Sequence, residues 1–366
     1  MALRYLLTLS LIAQATLQEP KEWNNERMAF MNTAGNFFIN RLAPIRIRRL
    51  RLSEYDKCSH QNGSPYGIGR FTLQVSCPQG DLAYCGLYDT PTDTRSKKMV
   101  DCQFAAEITQ YGSGRVLAAL CYQNPITDTW KSRESRESIA YSIETQQIRG
   151  GEMCKKWAYP GTQLPQLQLP QYLKSLDTML LWYETANLES FNGYGSKSRE
   201  VATTRWIRNK YERTGFSGKG KLPEYGPNKA LYLLITSYSS GTTKFIVEDA
   251  DNYFALPRFW VKKATIDADV IKRKVQKLNQ YCNQSEINVM VQTRQNYHVG
   301  YLKNRQNTDN AWLEGAIIHL HDNSDRGCFG PSPVHSEVPT RRYRWRVLPH
   351  TTTPRDFARI FGISLK

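Results

Sequence analysis

Short stretches in which apolar and polar residues alternate recur along the chain and predict two regions rich in β-strands. In the first region, residues 71–75 and 116–120 stand between turn-forming Gly, Pro, Asp and Asn residues. In the second region, residues 230–238, 243–247 and 312–320 predict strands, the first two of them joined by a Ser-Ser-Gly turn. Short runs bounded by turn residues are typical of strands with one buried face.

A helical period interrupts the β pattern in the C-terminal part. Within residues 265–278, Ile271, Val275 and Leu278 recur at the i, i+4, i+7 spacing of one helix face, and Thr265 is the candidate N-cap. A second helix is predicted after residue 353, where a proline opens the segment. Helices between strands predict an α/β fold for the C-terminal half, whereas the N-terminal half is predicted to be a mostly β module.

The N-terminal end has the pattern of a secretory signal peptide. Residues 1–15 combine Arg4, an apolar run and an Ala-Gln-Ala cleavage site. That run is too short to cross a bilayer, and no later segment approaches the roughly 20 apolar residues that a spanning helix needs. We therefore predict a secreted, extracellular protein with no transmembrane segment, divided into a signal peptide (1–15), a cysteine-rich module (16–155) and a second domain (156–366).

The cysteines fit an oxidising compartment, and all of them are predicted to form disulfides. Six lie in the N-terminal module, where three bridges have about 15 possible connectivities, and the last two are predicted to pair with each other. No C-x-x-C spacing indicates a zinc cluster, so we predict no metal. The eight cysteines are Cys58, Cys77, Cys85, Cys102, Cys121, Cys154, Cys282 and Cys328.

The formal net charge of +16 favours anionic partners. Arginine alternates with apolar residues in residues 41–51 and 341–346, which on a strand puts the charge on one face. Two interpretations stay open for these runs, a solvated strand face and a surface that binds a polyanion or a sulfated glycan. In addition, Asn62 and Asn283 begin Asn-x-Ser sequons and are predicted to be glycosylated.

Two segments of the chain resemble a known enzyme family. Arg213-Thr214-Gly215, continued by Gly218 and Gly220 and then by Gly-Pro-Asn at 226–228, matches R-T-G-x-x-G-x-G and G-P-N-x-A of the ADP-ribose branch of the Nudix hydrolases. Residues 307–312 match the family's N-T-D-N-A-W. The likeness extends to mitochondrial ADP-ribose pyrophosphatase and to the Nudix-type domain of the ADP-ribose-gated melastatin channel. It implies a Nudix-type α/β/α sandwich with a mixed sheet over residues 156–366.

The catalytic box of that family is degenerate in this chain. Family members hold magnesium with glutamates on one helical face, and the ion activates water against a pyrophosphate. Alignment of the family's P-G-G with residues 257–259 places the box glycine at Phe259, the first glutamate at Thr265 and the retained arginine at Arg273. The three clustered glutamates become Lys274, Lys277 and Leu278. With no carboxylate left, we expect no catalytic residue, no metal and no cofactor at this box.

The resemblance also implies positions that bind the ligand. These are Arg213, Asn304, Gln306, Asp309 and Asn310, although the family has an aspartate and an arginine where this chain has Asn304 and Gln306. We expect Lys272, Arg273, Lys274 and Lys277 to neutralise a pyrophosphate directly, in place of the ion, with Lys274 and Lys277 as the ligand-binding positions. The alternatives are a basic helix that is merely solvated and, for Asp309 and Asn310, a turn that the fold requires.

Three functions remain open. The first is a secreted, catalytically inactive Nudix-like protein that binds ADP-ribose or a related anionic ligand. The second is an active, magnesium-dependent pyrophosphatase that uses acids outside the box. The third is a polyanion-binding or structural protein. The candidate acids for the second function are Asp249, Asp251, Glu314, Asp322 and Asp325, and His319 with His321 forms a histidine pair that has no third metal ligand in the sequence.

Overall fold

The structure is a computed structural model, and it describes thirteen ranges of the chain. These are residues 25–77, 85, 87, 98–109, 114–123, 152–188, 207–239, 241–250, 253–262, 267–280, 282–323, 328–329 and 342–347. The predicted signal peptide, Thr265 and the helix predicted after residue 353 lie outside them. The described residues belong to two compact units, one drawn from Met1–Lys197 and Lys210–Gly218 and the other from Ser198–Asn209 and Lys219–Lys366.

The first unit is an antiparallel sheet with strand order β1-β2-β3-β4-β5. It also contains residues 156–188 and 210–218, which lie in the predicted C-terminal domain (156–366). The elements are α1 (Asn25–Arg41), β1 (Arg46–Ser59), β2 (Pro65–Ser76), β3 (Lys98–Glu107), β4 (Val116–Gln123), α2 (Glu152–Trp157), a 3₁₀ turn (Gln171–Leu173) and β5 (Trp182–Glu184).

Helix α1 covers one face of this sheet and was not predicted. Phe30, Ala34 and Phe38 are buried together with Phe71 and Phe104 of the strands. Their i, i+4, i+8 spacing was a helical signal in the sequence. The N-terminal module is therefore a sheet with a helical layer, rather than strands alone.

The structure confirms the prediction that all eight cysteines form disulfides, and it supplies the connectivity that the sequence left open. Cys58–Cys154 joins β1 to α2, Cys102–Cys121 links two neighbouring strands, and Cys77–Cys85 closes a short loop. Cys282–Cys328 lies in the second unit, as the sequence predicts. Since no cysteine is free, none is available as a metal ligand.

The second unit is built on a mixed sheet with strand order β10-β11-β6-β7-β12, in which β11 and β6 run parallel. Short strands β8 and β9 add to β7 and β6. Its elements are β6 (Gly226–Ser239), β7 (Thr242–Ala250), β8 (Tyr253–Ala255), β9 (Arg258–Trp260), α3 (Ala268–Leu278), α4 (Gln284–Gln292), β10 (Gln295–Leu302), β11 (Ala311–Asp322) and β12 (Arg342–Val347). The strands predicted at 230–238, 243–247 and 312–320 are thus confirmed.

Helices α3 and α4 pack on one face of this mixed sheet. The predicted stripe Ile271, Val275 and Leu278 is buried against strand residues that include Leu233 and Ile318. The N-cap of α3 is Asp267, not Thr265, since the Asp267 side chain accepts a hydrogen bond from the backbone amide of Asp269. A carboxylate there also complements the positive end of the helix dipole.

Candidate anion site on helix α3

Strand β9 and helix α3 bring two of the degenerate box positions together. Phe259 pairs with Leu231 of β6 and packs against the core beneath the helices. The Nζ atom of Lys274 lies 5.4 Å from the centre of the Phe259 ring, a cation–π contact. The Phe259 ring, at the position aligned with the box glycine, therefore contacts the ammonium of Lys274, at a position aligned with a box glutamate.

The charge of Lys274 is held in an unfavourable environment. Burial lowers the pKa of the Lys274 ammonium, and the neighbouring charges of Lys277 and Arg273 lower it further. Both causes disfavour the charged form. An anion placed beside the Lys274 ammonium would offset the repulsion from Lys277 and Arg273. It would also accept hydrogen bonds in place of the water that partial burial removes. This part of the helix thus has the electrostatics of an anion site.

The remaining positions of the box divide between the surface and the core. Lys277 is exposed, and Arg273 donates a hydrogen bond from Nε to the backbone oxygen of Asp269 at 3.3 Å. Leu278 is only 4% exposed and belongs to the hydrophobic core. Lys272 lies on the other side of the helix, 3.8 Å from the Asp269 carboxylate.

Magnesium does not fit the box positions that the structure describes. The ion needs carboxylate or other hard oxygen ligands on one helical face. Here that face presents Lys274 and Lys277, and the third position is the buried Leu278. Two ammonium groups repel a divalent cation, so we derive no metal chemistry from this helix.

Arg258, which was not predicted as a site residue, is the centre of a second cluster of polar side chains. Its Nη1 donates to the side-chain oxygen of Gln306 at 3.1 Å, and its guanidinium lies 4.8 Å from the Trp260 ring centre. The backbone amide of Gln306 donates to Asn304 Oδ1 at 2.9 Å. The structure thereby places Arg258 beside Asn304 and Gln306, whose predicted contact with a ligand stays a prediction.

Strand alternation points these two groups to opposite faces of the sheet. Phe259 is opposite Leu231, whose side chain is in the core under the helices. Arg258 is opposite Tyr232, which belongs to the core on the other face. Successive side chains of a strand point to opposite faces. Lys274 and the Arg258–Gln306 pair therefore do not form one contact surface in the described residues.

Arg213 lies in the first unit and is engaged there by backbone carbonyls. Its guanidinium donates to the carbonyl oxygens of Leu173 and Leu176 at 3.2 and 2.9 Å, and also to that of Ser175. Such a fork fixes the segment at 173–176 in place. These contacts give Arg213 a structural role, and its predicted contact with ligand stays a prediction.

The glycine that follows has an equally local reason. Gly215 has φ +81°, and a Cβ there would stand 2.1 Å from the Leu167 carbonyl oxygen. Its own amide donates to the Tyr183 hydroxyl at 2.9 Å, and its carbonyl accepts from the Leu167 amide. The next residue, Phe216, is buried and stacks on Tyr159. Gly215 therefore serves a close backbone approach, and its amide is already bonded.

The N-T-D-N-A-W segment forms a tightly bonded turn before β11. Asn307 is 1% exposed. Its side-chain Nδ2 donates to the backbone oxygen of Leu302 at 2.9 Å, and its Oδ1 accepts from the backbone amide of Leu313 at 3.0 Å. Thr308 Oγ1 accepts from the Ala311 amide at 2.8 Å. The side chain of Asn310 donates to the Ile207 oxygen, and the backbone oxygen of Asp309 accepts from Asn209. These bonds support the structural interpretation of Asp309 and Asn310.

His319 and His321 both contact one hydroxyl, on the face of the sheet opposite helices α3 and α4. Thr236 Oγ1 lies 2.7 Å from His319 Nε2 and 2.8 Å from His321 Nδ1. On its other side, His319 Nδ1 is 3.3 Å from the Tyr297 hydroxyl. Burial lowers the pKa of His319, and the charge of His321 lowers it further. Within the described residues no carboxylate or thiolate joins this pair as a third metal ligand.

Two of the acids considered for the second function are engaged in structural bonds. Glu314 accepts from the Trp312 indole at 2.9 Å, and the buried Asp322 accepts from the Phe329 amide at 3.2 Å. Asp251 and Asp325 lie outside the described residues, and only the backbone of Asp249 is described. Both sequon asparagines are exposed, and Asn283 also caps α4 by accepting from the Ser285 amide.

Comparison with known proteins supports a Nudix-like relationship for part of the chain. The chain is 25% identical over 158 residues to "Transient receptor potential cation channel subfamily M member-like 2" of Nematostella vectensis, which covers 37% of this chain and 10% of that protein. It is 27% identical over 138 residues to "Putative nudix hydrolase 6" of Caenorhabditis elegans, which covers 36% of this chain and 52% of that protein. The chain thus spans about a tenth and about half of these relatives. No family model matches.

Among the described residues, no helix has both the length and the apolar composition that crossing a bilayer requires.

Proposed function

We propose that the second unit binds ADP-ribose or a related nucleoside diphosphate without magnesium and without cleaving it. The observation that carries this proposal is the position of Lys274, a partly buried ammonium at a box position, held against Phe259 beside Lys277 and Arg273. The similarity to a putative nudix hydrolase supports a ligand of the nucleotide type.

The binding step follows from the electrostatics of α3. A diphosphate carries anionic oxygens that accept charge-assisted hydrogen bonds from ammonium groups. Lys274 has already lost part of its hydration to the Phe259 ring, so less water must be displaced when the phosphate arrives. Lys277, one turn further on the same face, adds a second donor.

We propose that the ligand is not hydrolysed because the same helix residues cannot bind magnesium. Cleavage of the family type needs an ion that polarises phosphorus and lowers the pKa of water. Lys274, Lys277 and the buried Leu278 supply no ligand for such an ion. The competing hypothesis, hydrolysis by acids outside the box, loses support from the bonds that Glu314 and Asp322 already accept.

The proposed location is extracellular, because four disulfides are more typical of proteins in oxidising surroundings. The protein for the test is therefore taken from the culture medium of cells that express the whole chain. Retention of the protein inside the cells would contradict this part of the proposal.

The test is calorimetric titration of ADP-ribose, with magnesium and with EDTA, followed by chromatography of the samples for AMP and ribose 5-phosphate. We expect binding that EDTA leaves unchanged and no products. Lys274→Gln should weaken binding about tenfold, since it removes a charged hydrogen bond. Lys272→Gln is the matched control, because it removes the same charge on the other side of the helix, beside Asp269.

Each outcome decides between the hypotheses. Binding that requires magnesium, or the release of products, would overturn the metal-free proposal in favour of an active pyrophosphatase. Equal losses in the two variants would show that net charge, not the Lys274 site, attracts the nucleotide. No binding at all would leave the second unit without a nucleotide function.

A further inference from the structure

Exposed arginines lie on one part of the sheet face opposite helix α1, where strand β1 turns them away from that helix. Further along β2 the same face is buried around Ile68. Leu50 and Leu52 of β1 pack towards the buried cluster under α1. Arg49 and Arg51 alternate with them and are exposed on the opposite face. The alternation predicted for the basic run at 41–51 therefore holds over residues 49–52, whereas Arg41 ends helix α1 and β1 begins only at Arg46.

Two irregularities in the strand pairing flank these arginines. The register between β1 and β2 shifts between Ile47 and Arg49 and again between Leu52 and Glu54. Bulges of this kind increase the local twist and redirect side chains. Between the shifts, Arg49 is opposite Gln74 and Arg51 is opposite Thr72. The two guanidinium groups are thus placed over a regular piece of sheet.

The arginines line a groove with a volume of about 410 Å³. Polar side chains from β1 and β2 and one methionine from β3 complete its lining: Ser53, Thr72, Gln74 and Met99. The hydroxyl of Thr72 also donates a hydrogen bond to the Asp101 carboxylate at 3.4 Å. The groove therefore offers two cations, an amide and a hydroxyl on one surface.

Neither Arg49 nor Arg51 has an ion-pair or hydrogen-bond partner among the residues that the structure describes. Other arginines of the same unit are engaged there. Arg48 donates to the Ser76 hydroxyl, Arg70 contacts Glu54, and Arg115 pairs with Glu107. The donors of Arg49 and Arg51 are therefore available to a ligand, as far as the described chain extends.

We propose that this groove binds a sulfated glycan. The planar guanidinium forms paired hydrogen bonds with tetrahedral oxyanions, and two arginines two residues apart on a strand present them at about 6.6 Å spacing. The amide of Gln74 and the hydroxyl of Thr72 provide the neutral contacts that sugar hydroxyls use. The disulfides of this unit favour an extracellular polyanion over a nucleic acid.

The experiment measures the affinity of the whole chain for a heparin octasaccharide by calorimetry at 0.15 M NaCl. Its desulfated form and a DNA oligonucleotide of equal charge are the competing ligands. We expect binding of the sulfated octasaccharide only, weakened at least about tenfold in the Arg49→Gln/Arg51→Gln variant. Higher salt should weaken the interaction, because the contacts are ionic.

A matched control is available in the second unit. Arg344 and Arg346 are also exposed and two residues apart on a strand, so Arg344→Gln/Arg346→Gln removes the same charge. Affinity within about twofold of the unchanged protein is expected for this variant, as surface changes away from a contact have small effects. Equal losses in both variants, equal affinity for DNA or for the desulfated sugar, or no binding would each overturn the proposal.

Discussion

Residues 307–312 and helix α3 belong to the same unit but differ in how closely they match the Nudix sequence pattern. In the turn the family's residues are kept, and Asn307 and Thr308 are buried and bonded to the backbone. In the helix, the positions that the alignment gives to the family's glutamates hold Lys274, Lys277 and Leu278. A segment that matches the family can therefore reflect what the fold requires, whereas the positions that differ from the family are those where we propose a different chemistry.

The largest expected effect comes from restoring one family residue in the helix. Leu278→Glu places a carboxylate in the hydrophobic core, where the residue is 4% exposed. We expect the free energy of unfolding to fall by about 4 kcal/mol, because the buried charge has no partner. Lys277→Glu, at an exposed position on the same helix, is the control and should change stability by less than about 1 kcal/mol.

Denaturant unfolding of the two variants measures the difference. If Leu278→Glu were tolerated as well as Lys277→Glu, the position of Leu278 would have room for a solvated carboxylate. The prediction that Leu278 is a core position and Lys277 a surface position would then be wrong.

A smaller effect is expected when a retained residue of the turn is removed. Asn307→Ala leaves the Leu302 oxygen and the Leu313 amide without their partner in a buried position. We expect a loss of about 3 kcal/mol of stability, since unsatisfied buried backbone groups are costly. Asn296→Ala, an exposed residue of β10, is the matched control with an expected change of about 0.5 kcal/mol or less.

Nucleotide titration of the folded Asn307→Ala protein sharpens this comparison. Affinity for ADP-ribose that stays unchanged while stability falls would support the structural interpretation of the motif. A loss of affinity with full stability would instead show that the retained residues serve the ligand.

The smallest of the three effects concerns the glycine of the R-T-G segment. Gly215→Ala combines a positive φ with a clash 2.1 Å from the Leu167 oxygen. Gly241→Ala shares the positive φ, at +75°, but has nothing within 4 Å of the new Cβ. We expect Gly215→Ala to be more destabilising than the control by about 2 kcal/mol. Equal thermal midpoints and equal denaturant midpoints in both variants would show that backbone conformation alone selects glycine.

The sequence predicted those features of the fold that depend on local periodicity. The stripe Ile271, Val275 and Leu278 was sufficient to place α3, although the helix begins two residues later than the candidate N-cap implied. The candidate site was harder to predict from the sequence. Arg258 was missed because its partner, Gln306, is 48 residues away in the chain, and the faces of Arg258 and Phe259 follow from pairing with β6. Such contacts leave no periodic signal.

By itself, the sequence determined the hydrophobic period of the main elements, the even number of cysteines that form four disulfides, and the residue types at positions 274, 277 and 278 of helix α3. These are properties of residue type and of close spacing. Only the tertiary structure decided that Cys58 pairs with Cys154 across 96 residues, that Arg213 is held by the first unit, and that Lys274 rests on Phe259. The reason is physical: which distant groups meet is fixed by how sheets pair and how their buried faces pack.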